Sequence, residues 1–361
     1  MKIGIIGFPN VGKSTLFNAL AKTHVGCESY PFCTIDPNVG VVSVPDERLQ
    51  TISQLYNSLR IVHTTIEFFD VAGLVQGASN GEGLGNKFLS HIRETEALIH
   101  VLRYFHDDSV VHVNGTIDPY TDQKVVDLEL ILSDAEIVAT RRNKLERLKQ
   151  TGDKEASHRI EFLEKIAAIL DEGIPLREKK FDHDERKAIK ELGLLSYKPV
   201  LYVFNLSLDD LKKQDEIIKE ASSTIGENNS VIALCVKIEE ELALLQDEEA
   251  KLFFEEFQVK ESGLSTLIRE SFVLLNLITF FSTQSKETKA WTIKQGTLLP
   301  EAAGKIHTDM QEGFIKADVL SYSDLLKSGD PVRARELGLI RTEGKTYCVK
   351  DGDVILFKFA S

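Results

Sequence analysis

The sequence is short of three things. Its 361 residues carry only four cysteines, Cys27, Cys33, Cys235 and Cys348. None stands in C-x-x-C spacing, which argues against a thiolate zinc site and a disulfide framework and suits a reducing cytosol. No apolar run approaches the ~20 residues that cross a bilayer, and no signal peptide precedes the first apolar run. A cytoplasmic chain without a membrane partner is therefore expected. Positive charge is also in deficit: the net charge is -13 and the pI about 5.3. Bulk charge does not make this a nucleic-acid binder, so any RNA contact has to come from a local basic patch.

What is present begins at the N-terminus. The apolar run Lys2-Ile3-Gly4-Ile5-Ile6 reads as a buried strand. Gly7-Phe8-Pro9-Asn10-Val11-Gly12-Lys13-Ser14-Thr15 follows, and then a helix from Leu16 to Lys22. This is G-x-x-x-x-G-K-S in its strand, loop, helix context. The glycines let successive N–H groups turn toward phosphate oxygens, and the helix start adds unpaired N–H groups and a positive dipole end. Asn10, Val11, Gly12, Lys13, Ser14 and Thr15 are thus expected around a nucleoside triphosphate. Lys13 would neutralise the β- and γ-phosphates and Ser14 would ligate Mg²⁺.

Further along, Gly26 to Pro37 reads as a loop because two prolines and a glycine interrupt it. Thr34 is either an ordinary loop residue or the hydroxyl that reaches Mg²⁺ in a nucleotide switch. Thr65 to Phe69 is a β-rich run ending in Asp70-Val71-Ala72-Gly73. Asp70 fits a carboxylate that holds the Mg²⁺ shell through water, and the Gly73 N–H fits a γ-phosphate contact. The glycine-rich Gly77 to Gly85 is expected to move as a switch does. Leu74 stands where Ras-like enzymes carry a water-orienting glutamine, and leucine cannot hydrogen-bond. That makes hydrolysis slow or gives the task to another group. His112 is open to two readings, a structural histidine with apolar flanks or a group that swings toward the site.

From about Asp122 to Gly193 the chain is helical and charged. Leu128, Ile131, Ala135 and Val138 recur at coiled-coil spacing, as do Ala156, Ile160, Leu163, Ala167 and Leu170. Thr151-Gly152-Asp153 breaks the pattern as a hairpin tip. Arg141, Arg142, Lys144, Arg147, Lys149 and Lys154 near it are either a solvated face or an RNA contact. Lys198 to Asn205 returns to a buried strand. Its end, Asn205-Leu206-Ser207-Leu208, stands where a GTPase has N-K-x-D. Leu208 has no acceptor for the guanine N1–H and 2-amino groups, so guanine specificity should be lost unless Asp209 or Asp210 slips into the role. Cys235 and Val236 would border the base after the strand Ser230–Cys235. From about Asn276 a small mixed domain is expected, with strands at Trp291–Ile293, Tyr347–Val349 and Val354–Phe359 and a turn at Asp351-Gly352-Asp353.

Taken together, the phosphate loop, Tyr30-Pro31-Phe32-Cys33-Thr34-Ile35, Asp70-Val71-Ala72-Gly73-Leu74-Val75 and Gly81-Glu82-Gly83-Leu84-Gly85-Asn86 resemble the YchF family of Obg-like ATPases. Ala290-Trp291-Thr292-Ile293, Ala302 to Asp309 and Lys350 to Val354 resemble that family's TGS domain. The resemblance implies an α/β fold. It consists of a Rossmann-like G domain (1–121 and 197–275), an inserted antiparallel coiled-coil arm (122–196) and a ubiquitin-like β-grasp TGS domain (276–361). It further implies ATP preferred over GTP, Mg²⁺ dependence, K⁺ as an activator through Asn10, and base contacts near Asn205, Leu206, Cys235 and Val236. The partner it implies is the ribosome, 50S or 70S, with rRNA or tRNA met through the arm and the TGS domain by a monomeric protein. Leu74 matches the family's hydrophobic residue, and His112 corresponds to its mobile histidine. One departure stands out: the family usually carries Asn-x-x-Glu where this chain has Asn205-Leu206-Ser207-Leu208. The expected function is a ribosome-associated ATPase switch of low intrinsic rate. A GTP-binding assembly factor of the Obg type and a translation-regulatory scaffold with a vestigial ATPase are the alternatives.

Overall fold

The structure, a computed structural model, describes residues 1–22, 38–71, 84–112, 115–149, 154–226, 229–243, 245, 247–257, 259, 261–284 and 286–360. In chain order the elements are β1 (Lys2–Ile6), α1 (Lys13–Lys22), β2 (Val39–Ser43), α2 (Glu47–Leu55), β3 (Arg60–Val62), β4 (Thr65–Asp70), α3 (Leu84–Arg93) and β5 (Ala97–Arg103). There follow α4 (Pro119–Lys149), α5 (Lys154–Asp171), α6 (His183–Leu192), β6 (Val200–Asn205), α7 (Gln214–Ile225), β7 (Ser230–Leu234), α8 (Val236–Leu242), α9 (Asp247–Phe257) and α10 (Gly263–Leu274). The remainder is β8 (Leu277–Ser282), β9 (Glu287–Lys294), α11 (Leu299–Ile306), α12 (Thr308–Glu312), β10 (Phe314–Ser321), α13 (Tyr322–Ser328), α14 (Pro331–Glu336), β11 (Arg341–Glu343) and β12 (Asp353–Phe359). These elements form two compact units.

The first unit is built on a sheet ordered β2-β4-β1-β5-β6-β7. Strands β4, β1, β5, β6 and β7 run parallel. Every residue of β5 and β6 is buried, as expected for continuous apolar strands covered on both faces. The ends of β1 and β4 lie side by side, with Ile5 paired to Asp70, and Arg103 of β5 is paired to Asn205 of β6. Four strand ends are thereby gathered at one edge, where crossover loops of a parallel sheet can converge on a ligand.

Helices α4 and α5 pack as a hairpin. Ile131, Val138 and Leu145 recur every seven residues and meet Ile160, Leu163, Ile166 and Leu170. Leu128, expected in that seam, is instead 49% exposed. The reason is length: α5 has 18 residues against the 31 of α4, and at ~1.5 Å per residue it covers only the distal part of α4. Below it, α4 is held by buried polar contacts. Arg177 Nη2 donates to Asp127 Oδ1 (2.5 Å) and to the Tyr202 hydroxyl on β6 (2.8 Å). Asp134, fully buried, accepts from the N–H groups of Leu195 (2.7 Å) and Ser196 (2.8 Å).

The second unit contains Val41–Ile66 and Ile268–Ser361. Its sheet is ordered β11-β10-β12-β8-β9-β3. The short β3 adds to it in parallel with β9, pairing Ile61 with Thr288. Leu49 and Ile52 of α2 are buried against Phe281, Ala290, Leu320, Leu325, Ala334 and Val354. Residues 47–62, expected in the N-terminal domain, pack with the C-terminal segment. The expected strand Tyr347–Val349 is reduced to an isolated bridge between Cys348 and Leu298. In the turn before β12, Asp351 accepts from Arg48 Nη1 (2.6 Å) and the Thr279 N–H (2.9 Å).

Candidate nucleotide-binding site

The loop between β1 and α1 is the cradle read from sequence. Gly7 (φ 145°) and Gly12 (φ 103°) occupy the region that only glycine enters without strain, and Asn10 (φ 63°) is left-handed as well. A Cβ on Gly7 would lie 2.5 Å from the Val101 carbonyl oxygen, and one on Gly12 would strike the Asn205 amide. Close backbone approach, as well as turn geometry, therefore demands glycine at both positions. Helix α1 begins at Lys13 and has no acidic residue in its first turn, so its positive end is left for an anion. Thr15 is half-buried in that turn, whereas Val11 is buried.

Lys13 is 7% exposed, and its ammonium donates to the Phe8 carbonyl (2.6 Å). Burial pulls its pKa down to about 8, against a smaller upward pull from Asp70. Ser14 is exposed and donates to Asp70 Oδ2 (3.4 Å). Burial at the strand end raises the Asp70 pKa, with Lys13 and Ser14 opposing that shift. A hydroxyl and a carboxylate converging beside an ammonium are the hard-oxygen donors that Mg²⁺ takes, with water and phosphate supplying its other positions. Thr34, Gly73 and Leu74 lie outside the described residues, as do Cys27, Cys33 and the glycine-rich run 77–83.

Asn205 ties three loops together. Its amide nitrogen donates to the Val11 carbonyl (2.9 Å), and its side-chain oxygen accepts from the Val236 N–H (3.1 Å). Its main-chain carbonyl accepts from the N–H groups of Tyr104 and Phe105, 3.0 Å each. Asn205, Leu206, Cys235 and Val236 are all at most 5% exposed. Their side chains are packed inside, and that of Asn205 ties the surrounding loops together. Leu208 is 36% exposed, and the Asp210 carboxylate is tied back to the Ser207 hydroxyl at 2.6 Å.

His112 is 7% exposed, and its Nε2 lies 2.9 Å from Asp122 Oδ2 on the first turn of α4. The neighbouring Val111 carbonyl accepts from the Asn10 amide (3.2 Å). In the sequence Asp122 looks like one more acid in a charged helix, and Arg103 merely closes a largely apolar strand. Arg103 is 1% exposed. It donates to the carbonyls of Phe105 (3.2 Å), Asp107 (3.0 Å) and Val110 (2.9 Å) and stacks on Phe105. A cation closing a strand that is apolar apart from His100 was the available signal.

On the α4–α5 hairpin, Arg141 and Lys144 line a cleft of about 800 Å³ with Arg93 and Arg159, but also with Glu136 and Glu191. Arg142 faces Glu146 at 3.7 Å.

Fold and site define a P-loop nucleoside-triphosphate-binding protein of the GTPase class. A family profile described as "50S ribosome-binding GTPase" matches residues 2–132, and the profile of the C-terminal domain of YchF GTPases, described as a protein of unknown function, matches 277–360. The "Ribosome-binding ATPase YchF" of Bacillus subtilis is 48% identical, covering 99% of this chain and 98% of that protein. The protein of that name from Haemophilus influenzae is 44% identical over 99% of both. The structure of the Schizosaccharomyces pombe YchF GTPase aligns with TM-score 0.89 at 35% identity, covering 99% of this chain and 97% of that one. The chain belongs to the YchF family.

Proposed function

We propose that this protein is a nucleotide switch that binds ATP in preference to GTP with Mg²⁺, hydrolyses it slowly and docks on the ribosome according to its nucleotide state. The observation that carries the reading is the cradle itself: glycine-shaped backbone, buried Lys13 and an acid-free helix start, beside a base-side loop with Leu208 where a guanine-reading carboxylate would stand. The names of the bacterial relatives supply the ribosome and the ATPase activity. A ribosomal partner would put the protein in the cytoplasm.

In this reading the N–H groups of Asn10 to Thr15 and the Lys13 ammonium hold the phosphates, and the Gly73 N–H meets the γ-phosphate. Ser14 and Thr34 would ligate Mg²⁺, with Asp70 acting through water. The ion supplies charge neutralisation at the β- and γ-phosphate oxygens. Base selection falls to the loops carried by Asn205, Leu206, Cys235 and Val236. His112 would position the attacking water, since Leu74 cannot, and Asn10 would serve K⁺. The helical hairpin is read as a coiled-coil arm and the second sheet as a TGS β-grasp. These are the surfaces for rRNA or tRNA on a protein acting as a monomer.

The test is competition of unlabelled ATP and GTP for the nucleotide-free protein, followed by turnover with and without ribosomes and K⁺. Tighter GTP binding would replace this reading with that of a GTP-binding assembly factor, which the GTPase descriptions of the matching profile and of the fission-yeast structure favour. If Lys13→Ala removes ATP binding and leaves ribosome association unaltered, the scaffold alternative holds.

A further inference from the structure

The stretch from Arg103 to Asp122 joins the phosphate loop to the root of the arm through a short series of contacts. Arg103 grips the segment at the Phe105, Asp107 and Val110 carbonyls. One residue further, the Val111 carbonyl takes the Asn10 amide of the phosphate loop. One residue beyond that, the His112 imidazole meets the Asp122 carboxylate, and the two side chains are only 4% and 3% exposed. Asp122 stands on the first turn of the 31-residue α4. Ser14 and Asn10, at the mouth of the cradle, are exposed. A histidine sealed at that depth against a carboxylate is shielded from solvent and turned to Asp122. The imidazole has to leave Asp122 before it can act there.

We propose that Asp122 is a positioning residue that holds His112 in a withdrawn state, with Arg103 and the Asn10–Val111 contact fixing the segment that carries it. Release of the pair couples nucleotide in the cradle to α4 and so to the arm. This rests on the role in hydrolysis given to His112 above.

The arithmetic is that of a two-state equilibrium. If the withdrawn state dominates, weakening it raises the competent fraction by the same factor. Asp122→Asn keeps the shape and a hydrogen-bonding oxygen but removes the charge, and charge-assisted bonds exceed neutral ones by about tenfold in population terms. Asp122→Asn should therefore raise ATP turnover between about threefold and tenfold, in kcat, with KM for ATP nearly unchanged. In a His112→Ala background the same substitution should change nothing.

A second measurement needs no variant. Exchange of the His112 C2 hydrogen, followed by mass spectrometry on the full chain, should be slow without nucleotide and several-fold faster with Mg²⁺ and a non-hydrolysable ATP analogue. The proposal is overturned if folded Asp122→Asn turns over at or below the wild-type rate. It is also overturned if the increase persists without His112, or if the exchange rate ignores the nucleotide. Equal turnover of wild type and His112→Ala would instead remove the role given to His112 in hydrolysis, and the exchange measurement would then judge the latch by itself.

Discussion

At the residue scale, Lys13 illustrates how burial prepares a ligand site. Burial desolvates its ammonium to a pKa of about 8, and among the described residues the Phe8 carbonyl and Asp70 are its partners. A triphosphate brings several negative charges to it and favours the protonated form, so the pKa climbs back toward 10.5 on binding. At pH 8 roughly half of the free protein carries a neutral Lys13, and nucleotide binding should take up about half a proton there. Below pH 7 the uptake vanishes, because the group is already charged. Calorimetry in buffers of different ionisation enthalpy reads this directly, and Lys13→Met should abolish it. The phosphate-loop residues were legible in sequence because their motif is local. For Asn205 the sequence offered only an expected base contact. Its grip on Val11 joins positions 194 apart, and no local pattern records it. The burial of His112 against Asp122 was not legible, since a histidine between valines looks the same whether it is held or free to swing.

At the level of elements, periodicity served where one element packs along its length and failed where it does not. Strands β1, β5 and β6 and the packing of α4 on α5 follow from apolar pattern, while the expected tip at Thr151-Gly152-Asp153 lies outside the described residues. Leu128 did not follow, because the seam stops where α5 stops. The root of α4 relies on buried carboxylates that a pattern search scores as solvent-facing. Asp134 is the clearest of these. Its two oxygens each receive one backbone N–H, and burial raises its pKa to about 6 despite them. Asp134→Asn can serve only one of the two donors and leaves the other facing an amide NH₂. That should cost about 1–3 kcal/mol, seen as a lower midpoint in urea with an unchanged slope. The pH dependence has a definite sign. A carboxyl whose folded pKa is raised favours the folded state at low pH, and that contribution is lost as pH rises from near 4 through about 6. The variant should flatten that part of the stability profile.

At the scale of the molecule, the C-terminal unit borrows from the N-terminal third. Ser58 meets Thr288 at 2.7 Å, Thr64 meets Thr292 at 2.5 Å and Arg60 faces Glu287 at 3.5 Å around the β3–β9 pairing. A reading that cuts the chain into consecutive domains cannot see this, because β3 is three residues long and carries little apolar pattern. Removing residues 276–361 should strip the cover from Leu49 and Ile52, each worth about 1.5–3 kcal/mol when buried. Amide exchange over 47–62 should then become fast in the 1–275 fragment while the amides of β1, β5 and β6 stay protected. Equal protection of 47–62 in fragment and full chain would contradict the arrangement.

The same borrowing orders events during synthesis. Ile61 leaves the translating machinery more than two hundred residues ahead of Thr288, the residue it pairs with. At about 5–20 residues per second that is a wait of some tens of seconds, with two apolar side chains lacking their shelter. A chaperone that meets the nascent chain should find its grip there, and should let go only as the last hundred residues emerge.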